Sequence, residues 1–234
     1  MWSAKLVLET RPRWMRTFHL FDADATQVER LKRMVAAQPA RDPVKHEPRR
    51  TIRVHHGDFN ATVNQVLLNS PITAREATFA LLDQRTFECR WSTVETLARH
   101  KTSGTKIELF YFLAASWLDR ALAAIHDTSI PEAWWGGPGW EVLRGMHTDH
   151  RRELFVRRFK TELGYASVKA WPIYEREGGG GRIMYYMIHA TDYPDAPALM
   201  ARAYRRAGLP PEPPEQLAME WHLPDPATVR PGRS

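Results

Sequence analysis

The chain has 234 residues and a formal net charge of +6, from 33 Lys and Arg against 27 Asp and Glu, with an isoelectric point near 9.6. With 43% hydrophobic and 26% charged residues, the composition is that of a globular chain able to bury one core, and it excludes disordered and collagen-like classes. Its single cysteine, Cys89, excludes an internal disulfide and a cysteine-based zinc cluster.

No apolar run approaches the roughly 18 residues a membrane helix requires. The opening MWSAKLVLETRPRW has neither the apolar centre nor the small-residue cleavage site of a signal peptide. The expected compartment is the cytoplasm, with no membrane partner.

Short apolar runs alternate with amphipathic segments along the first half. Residues 18–21 read as a strand ending at Asp22 and Asp24. Residues 26–37 read as a helix with Val28, Leu31 and Val35 inward. A polar loop over 39–50 leads to a second strand, 51–56, closed by Gly57 and Asp58. A helix over 61–70 precedes the apolar strand 77–83, which ends in Asp83. Residues 92–101 form a helix capped by Ser92 or Thr93, and 106–114 a further strand. Continuous apolar strands separated by helices predict a buried parallel sheet.

The second half differs. Residues 115–163 read as a mostly helical insertion, broken by WWGGPGW at 134–140. Two β-prone runs, 167–175 and 182–191, flank REGGGG and predict a hairpin. A closing helix spans 194–208, started by Asp195 or Pro197 and stopped by Gly208. The expected organisation is one α/β domain over 1–207 and a Pro-rich tail over 208–234, extended or disordered, with Trp221 as a docking candidate.

The candidate site residues cluster where strands end. A carboxylate at the C-terminal end of a parallel strand can accept hydrogen bonds from the vicinal hydroxyls of a ribose. Asp22 holds that position, while Asp24 is better read as a helix cap. Asp58 and Phe59 follow the next strand, and could accept an adenine amino group and pack on its ring; a turn with Asn60 capping the next helix is the plainer alternative. Asp83 and Gln84 follow the third strand. Their oxygens could accept a hydrogen from a substrate amine, with Phe87 and Trp91 holding a planar base. The competing reading makes Asp83 a loop cap and Trp91 a core plug.

The basic clusters 11–16, 45–50, 150–160 and 202–206 suit phosphates and equally suit solvated helix faces. Arg151, Arg152, Arg157 and Arg158 are the candidates for nucleic acid. Adjacent His55 and His56 on a strand point to opposite faces and argue against a metal. His147 and His150 are too few for one.

The stretches FHLFDAD, GDFN, ATFALLDQRTFECRWSTVETLA, KIELFYFLAASWLDRAL and YYMIHATDYPDAPALMARAY together resemble the three-Cys-motif partner family (TcmP) over roughly residues 5 to 207. The motifs LLDQRTFECRWST and YMIHATDYP carry most of the specificity. The resemblance implies a Rossmann-like class I methyltransferase sheet, mostly parallel with an antiparallel C-terminal hairpin. It implies S-adenosylmethionine as cofactor and a three-Cys-motif partner similar to phage Gp37/Gp68-like proteins. The roles it implies are Asp22, Asp58 and Phe59 at the cofactor, Asp83 and Gln84 at the reacting group, and Phe87, Trp91 and the four arginines at the substrate.

The family's first strand carries a DxFAGxG-like loop, whereas residues 1–56 contain no glycine. The expectation is therefore that this strand lies upstream of Met1 or has been lost, and that cofactor binding is impaired. A non-catalytic module that binds the three-Cys-motif protein is the alternative.

Overall fold

The computed structural model describes residues 3–10, 13–40, 47–69, 72–176 and 180–207. The expected closing glycine, Gly208, and the tail after it lie outside these residues, as does part of the hairpin turn.

Helix α1 (Ser3–Glu9) is followed by alternating β1 (Thr17–Asp22), α2 (Ala25–Ala36), β2 (Thr51–His56), α3 (Phe59–Asn69), β3 (Phe79–Leu82), α4 (Trp91–Arg99) and β4 (Glu108–Ala114). The helical middle comprises α5 (Leu118–Ala124), α6 (Ser129–Trp135), a 3-10 turn (Trp140–Leu143) and α7 (Thr148–Thr161). Strands β5 (Ser167–Arg176) and β6 (Gly180–Thr191) form the hairpin, and α8 (Ala196–Arg206) closes the described chain. Sequence periodicity missed only α1, whose apolar stripe is a single buried residue, Leu8.

The fold is mixed α/β. β1 pairs with β2 in parallel and β3 with β4 in parallel, while β6 runs antiparallel to both β4 and β5. The strands fall into two sheets, β1-β2 and β3-β4-β6-β5. β5 is an edge, which is where Pro172 can sit without breaking a ladder.

The core lies on one face of the larger sheet. Leu109, Tyr111 and Leu113 alternate inward from β4 and meet Val94, Leu97 and Ala98 of α4 and Phe155 and Phe159 of α7, all buried. Trp134 and Trp140 fill the wall built by the 115–163 segment, each about 1% exposed. Gly136, at φ +93°, ends α6 where a Cβ would stand 2.5 Å from the Trp91 ring; only glycine combines that backbone with so close an approach.

Two local expectations are corrected. The continuous apolar strands are not buried on both faces: β4 alternates buried and half-buried residues, and Phe79 of β3 is 40% exposed. Helix α4 starts one residue earlier than expected, so its cap position falls on Arg90, whose side chain has no acceptor, and no side-chain cap forms; the Thr93 hydroxyl, inside the helix, donates to Asn60 Oδ1.

Candidate functional site at the strand ends

Asp22 is the last residue of β1 and faces His56 across the β1-β2 ladder. Its Oδ1 accepts the Asp24 backbone N–H at 2.9 Å. Asp24 caps α2: its Oδ1 accepts from the Thr26 and Gln27 N–H groups at 2.6 and 3.2 Å. Those hydrogen bonds, Gln27 first, hold its carboxyl below the usual range. The cap tightens the β1–α2 turn and leaves Asp22 half-buried at its mouth.

Asp58 stands exposed after β2, with Oδ1 taking the Asn60 N–H at 3.0 Å and Oδ2 3.6 Å from the Arg90 guanidinium. Phe59 turns edge-on to Phe21, whose ring stacks on His55.

Asn60, expected only as a cap, is the hub of the region. Its amide nitrogen donates to the Glu88 carbonyl, and its Oδ1 accepts from the Arg90 N–H and the Thr93 hydroxyl, each at 2.8 Å. One side chain thus ties the loop after β2 to the loop after β3. No local signal marks it, because its partners lie about 30 residues away in sequence.

Asp83 and Gln84 diverge. Asp83 is exposed, and its Oδ2 accepts the Ser3 hydroxyl at 2.5 Å. Gln84 is buried; its amide donates to the Phe112 carbonyl at 3.2 Å and accepts the Cys89 N–H at 3.1 Å. Both ends of the amide therefore hold the 84–89 loop against β4. Phe87 packs edge-on to Trp134, and Trp91 is buried edge-on to Phe159. Tyr185 of β6 is a neighbour that sequence reading missed: burial and the nearby Asp83 carboxylate push its phenol upward. Cys89 is buried, and burial followed by the Asp58 and Glu88 charges raises its thiol to about 12.

Three of the four candidate arginines point inward. Arg151 is 2% exposed, bonds the Leu143 carbonyl through Nε at 2.9 Å and pairs with Asp119. Arg152 pairs with Asp149 at 3.1 Å and lies over the Tyr186 ring. Arg158 is clamped between Trp91 and Trp135, at 3.9 and 4.0 Å from their centroids, and chelates Glu162 at 2.7 and 2.8 Å. Arg157 alone is exposed.

On the face of the smaller sheet, His19 and His55 stack, with Nδ1 and Nε2 3.0 Å apart. A pocket of about 340 Å³ opens here, with His19, Arg53 and His55 on one wall and Thr62, Gln65 and Asn69 of α3 on the other. Burial lowers both imidazoles; the His55 charge and then Arg53 add to the effect on His19, and Arg53 alone to that on His55. No group of three metal-ligating side chains gathers among the described residues.

These features define a mixed α/β protein in which three of the four parallel strands end in or are followed by a carboxylate, Asp22, Asp58 and Asp83. No family model matches the chain, and neither a curated protein nor a solved structure matches it significantly.

Proposed function

We propose that the protein is a methyltransferase-like member of the three-Cys-motif partner group whose strand ends bind the adenosine half of S-adenosylmethionine. The observation that supports this is the set of carboxylates following three parallel strands, with the turns of two of them tied together through Asn60. Ligands of open α/β sheets bind outside the carboxyl ends of the strands.

The residues suit one half of the cofactor only. Asp22 can accept from the ribose hydroxyls, and Asp58 from the adenine amino group. Among the described residues no glycine-rich loop follows the parallel strands β1 to β4 to admit the methionine end; Gly57 stands by itself after β2. No transfer step is assigned to this site. Gln84 serves the 84–89 loop through both ends of its amide, so Asp83 is the group left to meet a substrate.

Calorimetry with S-adenosylmethionine and with adenosine tests the reading. Weak binding of both, with similar constants, and a tenfold or greater loss in Asp22→Asn are expected. Absence of heat with either ligand, at millimolar concentration, would sink it. The buried arginines and the internally bonded Gln84 favour a second reading, a non-catalytic module for a Gp37/Gp68-like partner. Pull-down of that partner by a chain that binds neither ligand would support it.

A further inference from the structure

The two faces of the smaller sheet differ in chemistry. Strand side chains alternate between faces, so Phe18, Leu20, Ile52 and Val54 take one face of the β1-β2 pair, and His19, Phe21, Arg53 and His55 take the other. The first set is apolar; in the second, three of the four side chains can carry positive charge.

Helix α3 meets this polar face with a polar stripe of its own. Its apolar Val63 and Leu67 turn to the main core. Thr62, Gln65 and Asn69, three and four residues apart and so on one side of the helix, line the pocket of about 340 Å³ opposite His19, Arg53 and His55. Among the described residues no carboxylate lines this pocket. The charged and titratable groups that face it are His19 from β1, and Arg53 and His55 from β2; α3 adds none. Such a lining repels a metal cation and attracts an anion.

The imidazole pair is set for an oxyanion. Nδ1 of His19 and Nε2 of His55 stand 3.0 Å apart, a separation at which one nitrogen carries hydrogen and the other accepts it. A further proton on the pair would set two N–H groups against each other. An anionic oxygen placed there accepts from both and removes the conflict. Phe21, stacked on His55 with centroids 4.8 Å apart, holds that ring in place. Arg53 keeps its charge at every accessible pH. Burial first, then neighbouring positive charge, lowers both imidazoles, so an arriving anion brings a proton with it.

We propose that this pocket binds a phosphate group, free or carried by a small molecule, and that the His19–His55 pair takes up a proton as the phosphate enters. The proton passes from solvent to an imidazole lone pair, and no bond of the ligand breaks. A tetrahedral phosphate has oxygens enough to meet the sheet wall and the Thr62, Gln65 and Asn69 wall together; a carboxylate has only two. The pocket volume lies near the lower limit for small-ligand sites, which suits a phosphoryl group with a short organic tail. None of Asp22, Asp58 and Asp83 lines the pocket, so the inference stands or falls separately from adenosine binding.

The test is imidazole proton–nitrogen NMR on the full chain, following the titrations of His19 and His55. The probes are inorganic phosphate and glycerol 3-phosphate at millimolar concentration, with chloride at equal ionic strength as control. Both phosphates are expected to move both titrations to higher pH, and chloride neither. Phosphate affinity is expected to tighten about tenfold as the pH falls from about 8 to about 6.5. Gln65→Glu changes an exposed helix position and leaves the fold intact. It should raise both imidazoles without ligand and weaken phosphate binding about tenfold. Tighter binding of glycerol 3-phosphate assigns the pocket to phosphate monoesters, and tighter binding of inorganic phosphate to the free ion; either supports the proposal. Titrations unmoved by both phosphates, or moved equally by chloride, would overturn it. So would a Gln65→Glu chain that binds phosphate as tightly as the parent. A short oligothymidylate that shifts both imidazoles where the small phosphates do not would also overturn it, by assigning this face to a nucleic-acid backbone.

Discussion

Arg158→Met separates a structural arginine from a phosphate-binding one. The guanidinium lies 3.9 Å from the Trp91 centroid and 4.0 Å from that of Trp135, and the residue is 8% exposed. In such a desolvated setting each face-on contact contributes about 1–2 kcal/mol. The ion pair with Glu162, whose side chain is 41% exposed, adds only about 0.5 kcal/mol, being one helical turn apart and partly screened. Methionine keeps the aliphatic stem packed between the rings, so the loss is confined to the charge. The expected destabilisation is about 2–4 kcal/mol, read as a shift of the urea unfolding midpoint at constant slope.

Arg157→Met, one residue away and exposed, is the control and should stay within about 0.5 kcal/mol of the parent. A role at phosphates would give the opposite pattern. Arg158→Met would then keep its stability, bind a labelled DNA duplex more weakly, and show a salt dependence shallower by about one unit. A stability loss below about 0.5 kcal/mol would refute the clamp argument.

Asn60→Ala removes three hydrogen bonds that join the start of α3 to the loop after β3 and to α4; a loss of about 2–3 kcal/mol is expected in urea unfolding, with faster amide exchange at Arg90. Cys89 should resist iodoacetamide at pH 8 in the folded chain and react on unfolding, because its thiol sits near 12 and the thiolate is the nucleophile; labelling followed by intact-mass measurement checks this. His19 and His55 are held below the ordinary 6.5 by burial, so the unfolded chain takes up their protons first. Stability is therefore full above about pH 6.5 and declines as the pH falls below it, and thermal melts of His55→Asn should show a flatter decline between pH 7 and 5.

The strand and helix order was legible in the sequence because it depends on local pattern. Apolar runs of strand length, broken by capping aspartates, put β1 to β4 within two residues of their observed bounds, and two β-prone runs around glycines announced the hairpin. The strand-end carboxylates were legible for the same reason, since a strand's end can be read without knowing its neighbours.

Pairing and partnership were not legible, because they depend on residues far apart in sequence. Only the tertiary structure divided the strands into two sheets and left Phe79 exposed. Gln84 looked like a site amide until the Phe112 carbonyl, 28 residues on, took its donor. Arg151, Arg152 and Arg158 looked like a phosphate patch until Asp119, Asp149 and two tryptophans closed around them. A charge in a sequence carries no information about its partner; burial forces one on it, and which one is decided by packing.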